Sequence, residues 1–436
     1  MLQARKLESP LPKMSLRNVE KSQTLLLNEQ SRMLEGSGRE IFKFGFGQSP
    51  FPPPEKAVSA LKSAAHRKEY TPVQGIPELR KAIAAFHSEA EGLDVTSDRV
   101  LIAPGSKIII YAAMAALERA DVLVPAPSWV SYVPQARLLG HSPILVSTSF
   151  KSRWRVTPEA LERAVASKKD SAVPTILILN YPGNPDGLTY TSDELEELTG
   201  VFRRHRILVI ADEIYGLLNH QGTHQPLALF YPEATITTGG LSKWCGAGGW
   251  RLGMGILPES LCGDYKDAVL GIASETFSCA PTPIQIAACE AYQWNRETQD
   301  FLTHQRRLLA LLGGWVATRL KLAGVDVHMP HGGFYLFPEF TSFGEKLEQH
   351  GVKSASDFCA KLLADAGVAL LPGDAFGMPT AHLCARLAYV DFDGSKALSL
   401  SKERGLEAVL DDAFVREAFP RTEKGVRKMC EWLASL

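Results

Sequence analysis

Between residues 98 and 300 the chain alternates short apolar runs with longer stretches of mixed polarity. The runs at 175–179 (TILIL) and 207–211 (ILVIA) carry apolar side chains on successive positions. A strand with one wet face would alternate; unbroken runs of this length fit strands covered on both faces of a parallel sheet. Shorter strands are predicted at 99–103, 122–125, 143–146 and 234–238. Helices are predicted between them, at 106–118, 131–139, 157–167 and 192–204. The third is marked by Thr157 as its cap and Pro158 in its first turn. This alternation argues for an α/β fold around a mostly parallel sheet.

The flanks read differently. Residues 1–14 look like a loose arm, and 21–34 has leucines at helical spacing. Residues 41–47 (IFKFGFG) alternate like a short strand leading into the proline-rich turn at 49–54. Helices are expected at 54–66 and 76–92. After residue 300 a long helix (298–322) precedes short strands at 325–328 and 333–338, then helices at 354–366, 406–414 and 422–436. The expected organisation is an arm (1–14), a large α/β domain (66–305), and a smaller α+β domain made from 306–436 together with 15–65.

Composition narrows the function classes. Of 436 residues, 45% are apolar and 22% charged, enough to bury a large core. Lys and Arg number 47 against 48 Asp and Glu, so no global field draws the chain to nucleic acid or to an acidic membrane. The seven cysteines are odd in number, scattered and without zinc spacing, which suits reduced thiols in the cytoplasm and no metal site. The first 23 residues hold no apolar signal core. The longest apolar run, 108–117, is half the roughly 20 residues a membrane span needs. The basic cluster Arg203-Arg204-His205-Arg206 reads as the solvated end of a helix.

In an open α/β sheet, ligands bind beyond the carboxyl ends of the strands. Three successive strand ends here present Asn180-Tyr181-Pro182-Gly183-Asn184-Pro185-Asp186-Gly187, then Asp212-Glu213-Ile214-Tyr215, then Gly239-Gly240-Leu241-Ser242-Lys243 with Arg251 shortly after. Taken singly they mean little. A lone lysine is usually a solvated surface residue, an aspartate after a strand is often a helix cap, and Asn-Pro is usually a turn. The glycine-rich stretch at 246–253 has neither dinucleotide-binding nor Walker spacing. An amide, a carboxylate with a phenol, and an amine with a hydroxyl and a guanidinium make a specific set only together.

That set resembles the class I aminotransferases dependent on pyridoxal 5′-phosphate (PLP), the aspartate aminotransferase family. Gly240-Leu241-Ser242-Lys243 followed by Gly249-Trp250-Arg251-Leu252-Gly253 matches the family's cofactor-lysine signature. Agreement extends to Tyr70-Thr71-Pro72-Val73-Gln74-Gly75, to Ala126-Pro127-Ser128-Trp129-Val130-Ser131-Tyr132 and to Gly332-Gly333-Phe334-Tyr335-Leu336. It departs at Gly240, where many relatives carry Ser or Thr, at Asp186, where Thr is usual, and at a possible insertion around 391–419.

The resemblance implies fold type I: a large PLP-binding domain with a seven-stranded, mostly parallel sheet plus a smaller α+β domain. It implies that Lys243 forms a Schiff base with the cofactor aldehyde and then moves a proton. Asp212 would hold the proton on the ring nitrogen, Asn184 and Tyr215 would donate to the ring oxygen, and Trp129 would cover the ring face. Gly105, Ser106, Lys107, Ser242 and Arg251 would cradle the phosphate at a helix start, with Tyr70 reaching in from the neighbouring subunit of a homodimer. Arg386, helped by Asn184 and by backbone near Gly47, would bind the carboxylate of an α-amino acid. The implied reaction passes the amino group of an L-α-amino acid to a 2-oxo acid. Two readings of the side-chain pocket stay open. Lys107 suits the distal carboxylate of an aspartate-like substrate, while Trp129, Tyr132 and Phe334 suit an aromatic one. Other chemistries of the same cofactor also remain open: elimination, decarboxylation, or formation of 1-aminocyclopropane-1-carboxylate. A regulator built on the same domain is the remaining rival.

Overall fold

The computed structural model describes residues 23–436. Its strands are β1 (Phe42–Lys43), β2 (Val100–Ala103), β3 (Asp121–Ala126), β4 (Ser142–Ser147), β5 (Thr175–Asn180), β6 (Leu208–Asp212), β7 (Thr235–Gly240), β8 (Gly253–Ile256), β9 (Tyr335–Leu336), β10 (Val368–Ala369), β11 (Leu371–Pro372) and β12 (Ala385–Ala388). Seven form one sheet in the order β2-β8-β7-β6-β5-β3-β4. All neighbours run parallel except β8, which is antiparallel to both β2 and β7.

The unbroken apolar runs are explained by what covers them. Leu177 and Leu179 of β5, with Val209 and Ala211 of β6, pack into one core beneath helices Pro158–Ala166 and Ser192–His205. Their alternates Ile176, Ile178 and Ile210 pack into a second core with Ile110 and Val269, from helices Ser106–Ala115 and Asp264–Thr276 on the other face. With both faces dry, every position is apolar, and each such side chain contributes about 1.5–3 kcal/mol through burial. The Thr157 side chain accepts from Ala160 N at the start of its helix, with Pro158 in the first turn as read from sequence.

The remainder gathers around helix Arg296–Leu322, whose Leu302, Leu308, Leu309, Leu312, Val316 and Leu320 are buried in the largest core. Against it lie the antiparallel sheet β11-β12-β9, the helices Ala355–Ala366 and Pro420–Ala434, and a two-stranded parallel sheet of β1 and β10.

Several expectations need correction. The strand at 41–47 shrinks to β1. The strand at 325–328 is a single bridge, Asp326 to Glu339. The helix expected at 406–414 is instead two helices, Gly394–Arg404 and Asp412–Ala418. The first ends at Gly405 (φ 73°), and the side chains of Asp393 and Asp411 cap the two starts by accepting from Lys396 N and Phe414 N. These two helices occupy most of the stretch read as a possible insertion. Strand β8 and helices Asp264–Thr276 and Thr282–Ala291 were not anticipated. The arm at 1–14 lies outside the described residues, as do the first residues of the expected 21–34 helix, which is seen from Gln23 to Gly36. Among the described residues, no helix is long and apolar enough to cross a membrane, and no group of three or more His, Cys, Asp or Glu is arranged to hold a metal.

Candidate active site

The carboxyl ends of β5, β6 and β7 and the start of helix Ser106–Ala115 open into a cavity of about 460 Å³, closed on its far side by β9, β12 and the chain at Phe46 to Gln48.

Asp212, the last residue of β6, lies buried at its floor. Tyr132 donates its hydroxyl to Asp212 Oδ2 (2.6 Å), and Thr238 donates to Oδ1 (3.3 Å). Burial still dominates and pushes the carboxyl up to about 6, against the hydrogen bonds from Tyr132, Ile214 N and Thr238 and the nearby charge of Lys243. A carboxylate so placed favours a cationic partner that would repay its lost hydration. Lys243 follows β7. Its Nζ donates to the Gly47 carbonyl (2.8 Å) and lies 5.5 Å from the Tyr215 ring centre. Tyr215 follows β6; its hydroxyl is 2.8 Å from that of Tyr335, and burial holds its pKa well above the usual phenol value.

The turn after β5 links these groups to the far wall. Asn180 donates its amide to the Asp212 carbonyl (2.6 Å) and accepts from Asn184 N (2.7 Å). Asn184 Oδ1 accepts from Arg386 Nη1 (3.0 Å). Arg386, on β12, is only 2% exposed. Its Nη2 donates to the Gly45 carbonyl (2.6 Å), and the Tyr335 and Phe376 rings lie 4.8 and 5.1 Å from its guanidinium carbon. Its Nε is buried with no acceptor, and burial lowers its pKa. A buried guanidinium with an orphaned N–H calls for an anion, and a carboxylate offers the matching pair of oxygens.

The opposite end is an anion cradle. Gly105 (φ 98°) turns the chain into helix Ser106–Ala115, whose start has no side-chain cap and therefore leaves N–H groups pointing outward. A Cβ at Gly105 would strike the Arg251 guanidinium, which is held over this turn by the Gly248 carbonyl (2.9 Å). Ser106, Lys107, Ser242 and Arg251 line the same space. Lys107 Nζ sits 4.8 Å over the Trp129 ring; surrounding protein and then the Arg251 charge lower its pKa. Gly240 also finds its reason here. At φ 153°, a side chain would meet the Leu252 carbonyl on the segment entering β8.

Of the residues singled out from sequence, Gly47, Ser106, Lys107, Trp129, Asn184, Asp212, Tyr215, Ser242, Lys243, Arg251 and Arg386 share the one cavity. Gly105 borders it through Arg251. Tyr70 does not reach it; its side chain stands 90% exposed. Sequence reasoning missed Asn180 and Thr238 as partners of Asp212, Tyr335 beside Tyr215, and Thr24 and Leu25 at the mouth. Tyr132, expected from sequence as an aromatic contact, instead serves Asp212 through its hydroxyl; its position beside Trp129 in the matched segment is the available signal. The turn departure is also accounted for: Asp186 Oδ1 accepts from Leu188 N (2.7 Å) and from the buried Arg155 (2.5 Å).

Known proteins agree with this geometry. The profile of the family described as aminotransferase class I and II matches residues 39–391. An asparagine–oxo-acid transaminase of Streptococcus mutans is 31% identical over 83% of this chain and 91% of its own length. The aspartate aminotransferase of Geobacillus stearothermophilus is 31% identical over 82% and 90%. A probable aspartate/prephenate aminotransferase of Rhizobium leguminosarum is 33% identical over 84% and 91%. Among solved structures, the Thermus thermophilus aspartate aminotransferase with maleate superposes with a TM-score of 0.79 at 25% identity, covering 95% of this chain and all of that one. The cavity gathers an amine, a buried carboxylate and a buried guanidinium with one unpartnered N–H, and the family profile and these relatives show that the chain belongs to the class I and II aminotransferases.

Proposed function

We propose that this cavity binds pyridoxal 5′-phosphate and that the enzyme uses it to pass the amino group of an L-α-amino acid to a 2-oxo acid. The observation that carries this reading is the pairing of two unmet needs: the ionised form of buried Asp212 needs a cation, and the buried Nε of Arg386 needs an anion. A pyridine nitrogen that keeps its proton answers the first, a substrate carboxylate the second. The cradle of Gly105, Ser106, Ser242 and Arg251 suits a phosphate. When bound, the cofactor supplies an aldehyde and an electron-drawing ring.

The chain's own groups do the rest. Lys243 Nζ would hold the cofactor by its aldehyde, and its amine, when free, would be the group that moves the proton of the substrate α-carbon. Asp212 keeps the ring nitrogen protonated, with Tyr132 and Thr238 fixing the carboxylate. Asn184 and Tyr215 would donate to the ring oxygen, and Trp129 would cover the ring. Arg386 orients the α-carboxylate, and Asn184 holds the guanidinium in plane.

Lys107 at the rim favours a second carboxylate, so an aspartate-like donor is the first choice. Aspartate and prephenate, in the names of two relatives, carry such a carboxylate, while asparagine, in the name of a third, carries an amide in its place. An aromatic donor is the second, favoured by the Trp129 ring and by Phe334, which lies 5.6 Å from Lys243 Nζ. The working unit is a homodimer in which the exposed Tyr70 enters the partner's phosphate cradle. Residues 23–65 and 306–436 act as a smaller domain beside 66–305, supported by the pairing of β1 with β10; residues 15–22 of the expected domain lie outside the described residues. A cytoplasmic location agrees with seven unpaired cysteines. The test is a screen of amino donors against 2-oxoglutarate, pyruvate and oxaloacetate, followed through the cofactor's absorbance. Loss of donor amine without formation of a new amino acid would refute transamination.

A further inference from the structure

Tyr335 stands between the two halves of the site. It lies on β9, which pairs antiparallel with β12 so that Tyr335 faces Ala388 and Leu336 faces Leu387. Side chains two positions apart on one strand share a face, so Arg386 is the diagonal neighbour of Tyr335. The Tyr335 ring lies 4.8 Å from the guanidinium carbon of Arg386 and stands nearly perpendicular to the Tyr215 ring, at 80°. Its hydroxyl is 2.8 Å from that of Tyr215.

Each hydroxyl has one proton. The other acceptor near Tyr335 is the Gly47 carbonyl, at a long 3.5 Å, and that oxygen already accepts from Lys243 at 2.8 Å. Either hydroxyl can donate across the pair, but once the Tyr215 proton is given to a group in the cavity, only the Tyr335 proton is left for the Tyr215 oxygen. The charged groups facing this pair are Asp212, Lys243 and Arg386.

We infer that Tyr335 is a positioning residue for amino transfer: its hydroxyl aims and polarises the Tyr215 hydroxyl as a donor, and its ring face holds the Arg386 guanidinium flat. This rests on the reading that the cofactor's ring oxygen lies against Tyr215. A donated hydrogen bond draws charge from that oxygen and weakens its hold on the neighbouring imine proton. Losing the Tyr335 hydroxyl should then raise the pH at which the bound cofactor's absorbance changes. With cooperative strengthening of about 10–30% per bond, the rise is about 0.1–0.6 pH unit.

The experiment is an absorbance titration of cofactor-loaded wild type, Tyr335→Phe, Tyr215→Phe and the double variant. Tyr335→Phe should raise the midpoint while leaving KM for the amino donor nearly unchanged. In the Tyr215→Phe background it should add nothing, because its route has gone. Tyr335→Leu should additionally raise KM by about three- to thirtyfold, the worth of a desolvated cation–ring contact, with a smaller change in kcat. An equal midpoint shift in both backgrounds, or no shift in either, overturns the inference. Should the Leu variant not fold, the Phe variants, which keep the ring, decide alone. A wild type that shows no cofactor band would refute the cofactor reading instead.

Discussion

Replacing Asp212 by Asn tests the reasoning about the cavity floor without any turnover measurement. Burial raises this carboxyl to about 6 in the cofactor-free protein, against an ordinary value of 3.8. The folded state therefore binds its proton more tightly than the unfolded state. Its contribution to stability is fully present below pH 3.8 and is lost as the pH rises through 6. The whole effect is about 3 kcal/mol, of which roughly half falls between pH 5 and pH 8. Asn has the same shape and does not titrate, and the hydroxyls of Tyr132 and Thr238 can turn to accept from its amide. Urea unfolding of both cofactor-free proteins from pH 4.5 to 8 isolates this one group. Relative to the variant, wild type should gain about 1–2 kcal/mol on going from pH 8 to pH 5. Loading the cofactor should reverse the ranking at neutral pH, since the ionised carboxylate then has its cation. Parallel stability curves for the two cofactor-free proteins would refute the claim that the floor is set against its own charge.

Lys243→Ala should keep bound cofactor and lose at least about 10²–10⁴-fold in turnover with its proton-transferring group gone; borohydride reduction of wild type should fix pyridoxyl mass on the peptide carrying Lys243, and label on another lysine would count against the assignment. Lys107→Ala should lower the ratio of kcat/KM for aspartate over phenylalanine by about ten- to a hundredfold, the worth of a charge-assisted contact of about 1.5–3 kcal/mol, whereas an unchanged ratio returns Lys107 to the solvent. Sedimentation at assay concentration should find a dimer, and Tyr70→Phe should weaken cofactor retention; a fully active monomer contradicts both. Asp186→Ala leaves the buried Arg155 without its carboxylate and should cost about 3–5 kcal/mol in urea unfolding, while a loss below about 1 kcal/mol would mean the pair is solvated.

The sheet was legible because strands dry on both faces cannot hide their composition. Val209 to Ala211 admits no polar residue, and the chemistry-bearing residues follow such runs directly. Strand β8 (GMGI) escaped notice because two of its four residues are glycines, where a side chain would strike the Gly105–Ser106 backbone or the Ile109 side chain, so only two side chains mark it. The helices near 400 were misplaced because their signals are two aspartate caps and a glycine stop, all weaker than the apolar spacing around 406–414 that suggested one helix. In the site, residues with chemistry on their own side chains could be named. Asn180, Thr238 and Tyr335 act on those residues, and their partners lie 32, 26 and 120 positions away. No local pattern encodes such distances.

The pairing of β1 with β10 has a consequence in time. Phe42 and Lys43 must wait for Val368 and Ala369. At about 5–20 residues per second, the ribosome needs roughly 15–65 s to make the intervening chain. During that interval all seven strands of the main sheet have emerged and can close around their two cores. The segment just after β1 supplies the Gly45 and Gly47 carbonyls that meet Arg386 and Lys243, so its seating and the arrival of β12 come late. On the growing chain, Lys243 is exposed before the walls that enclose it exist. On the proposed reading, a cofactor whose phosphate cradle and aspartate lie within the early sheet would be captured before Arg386 has been made.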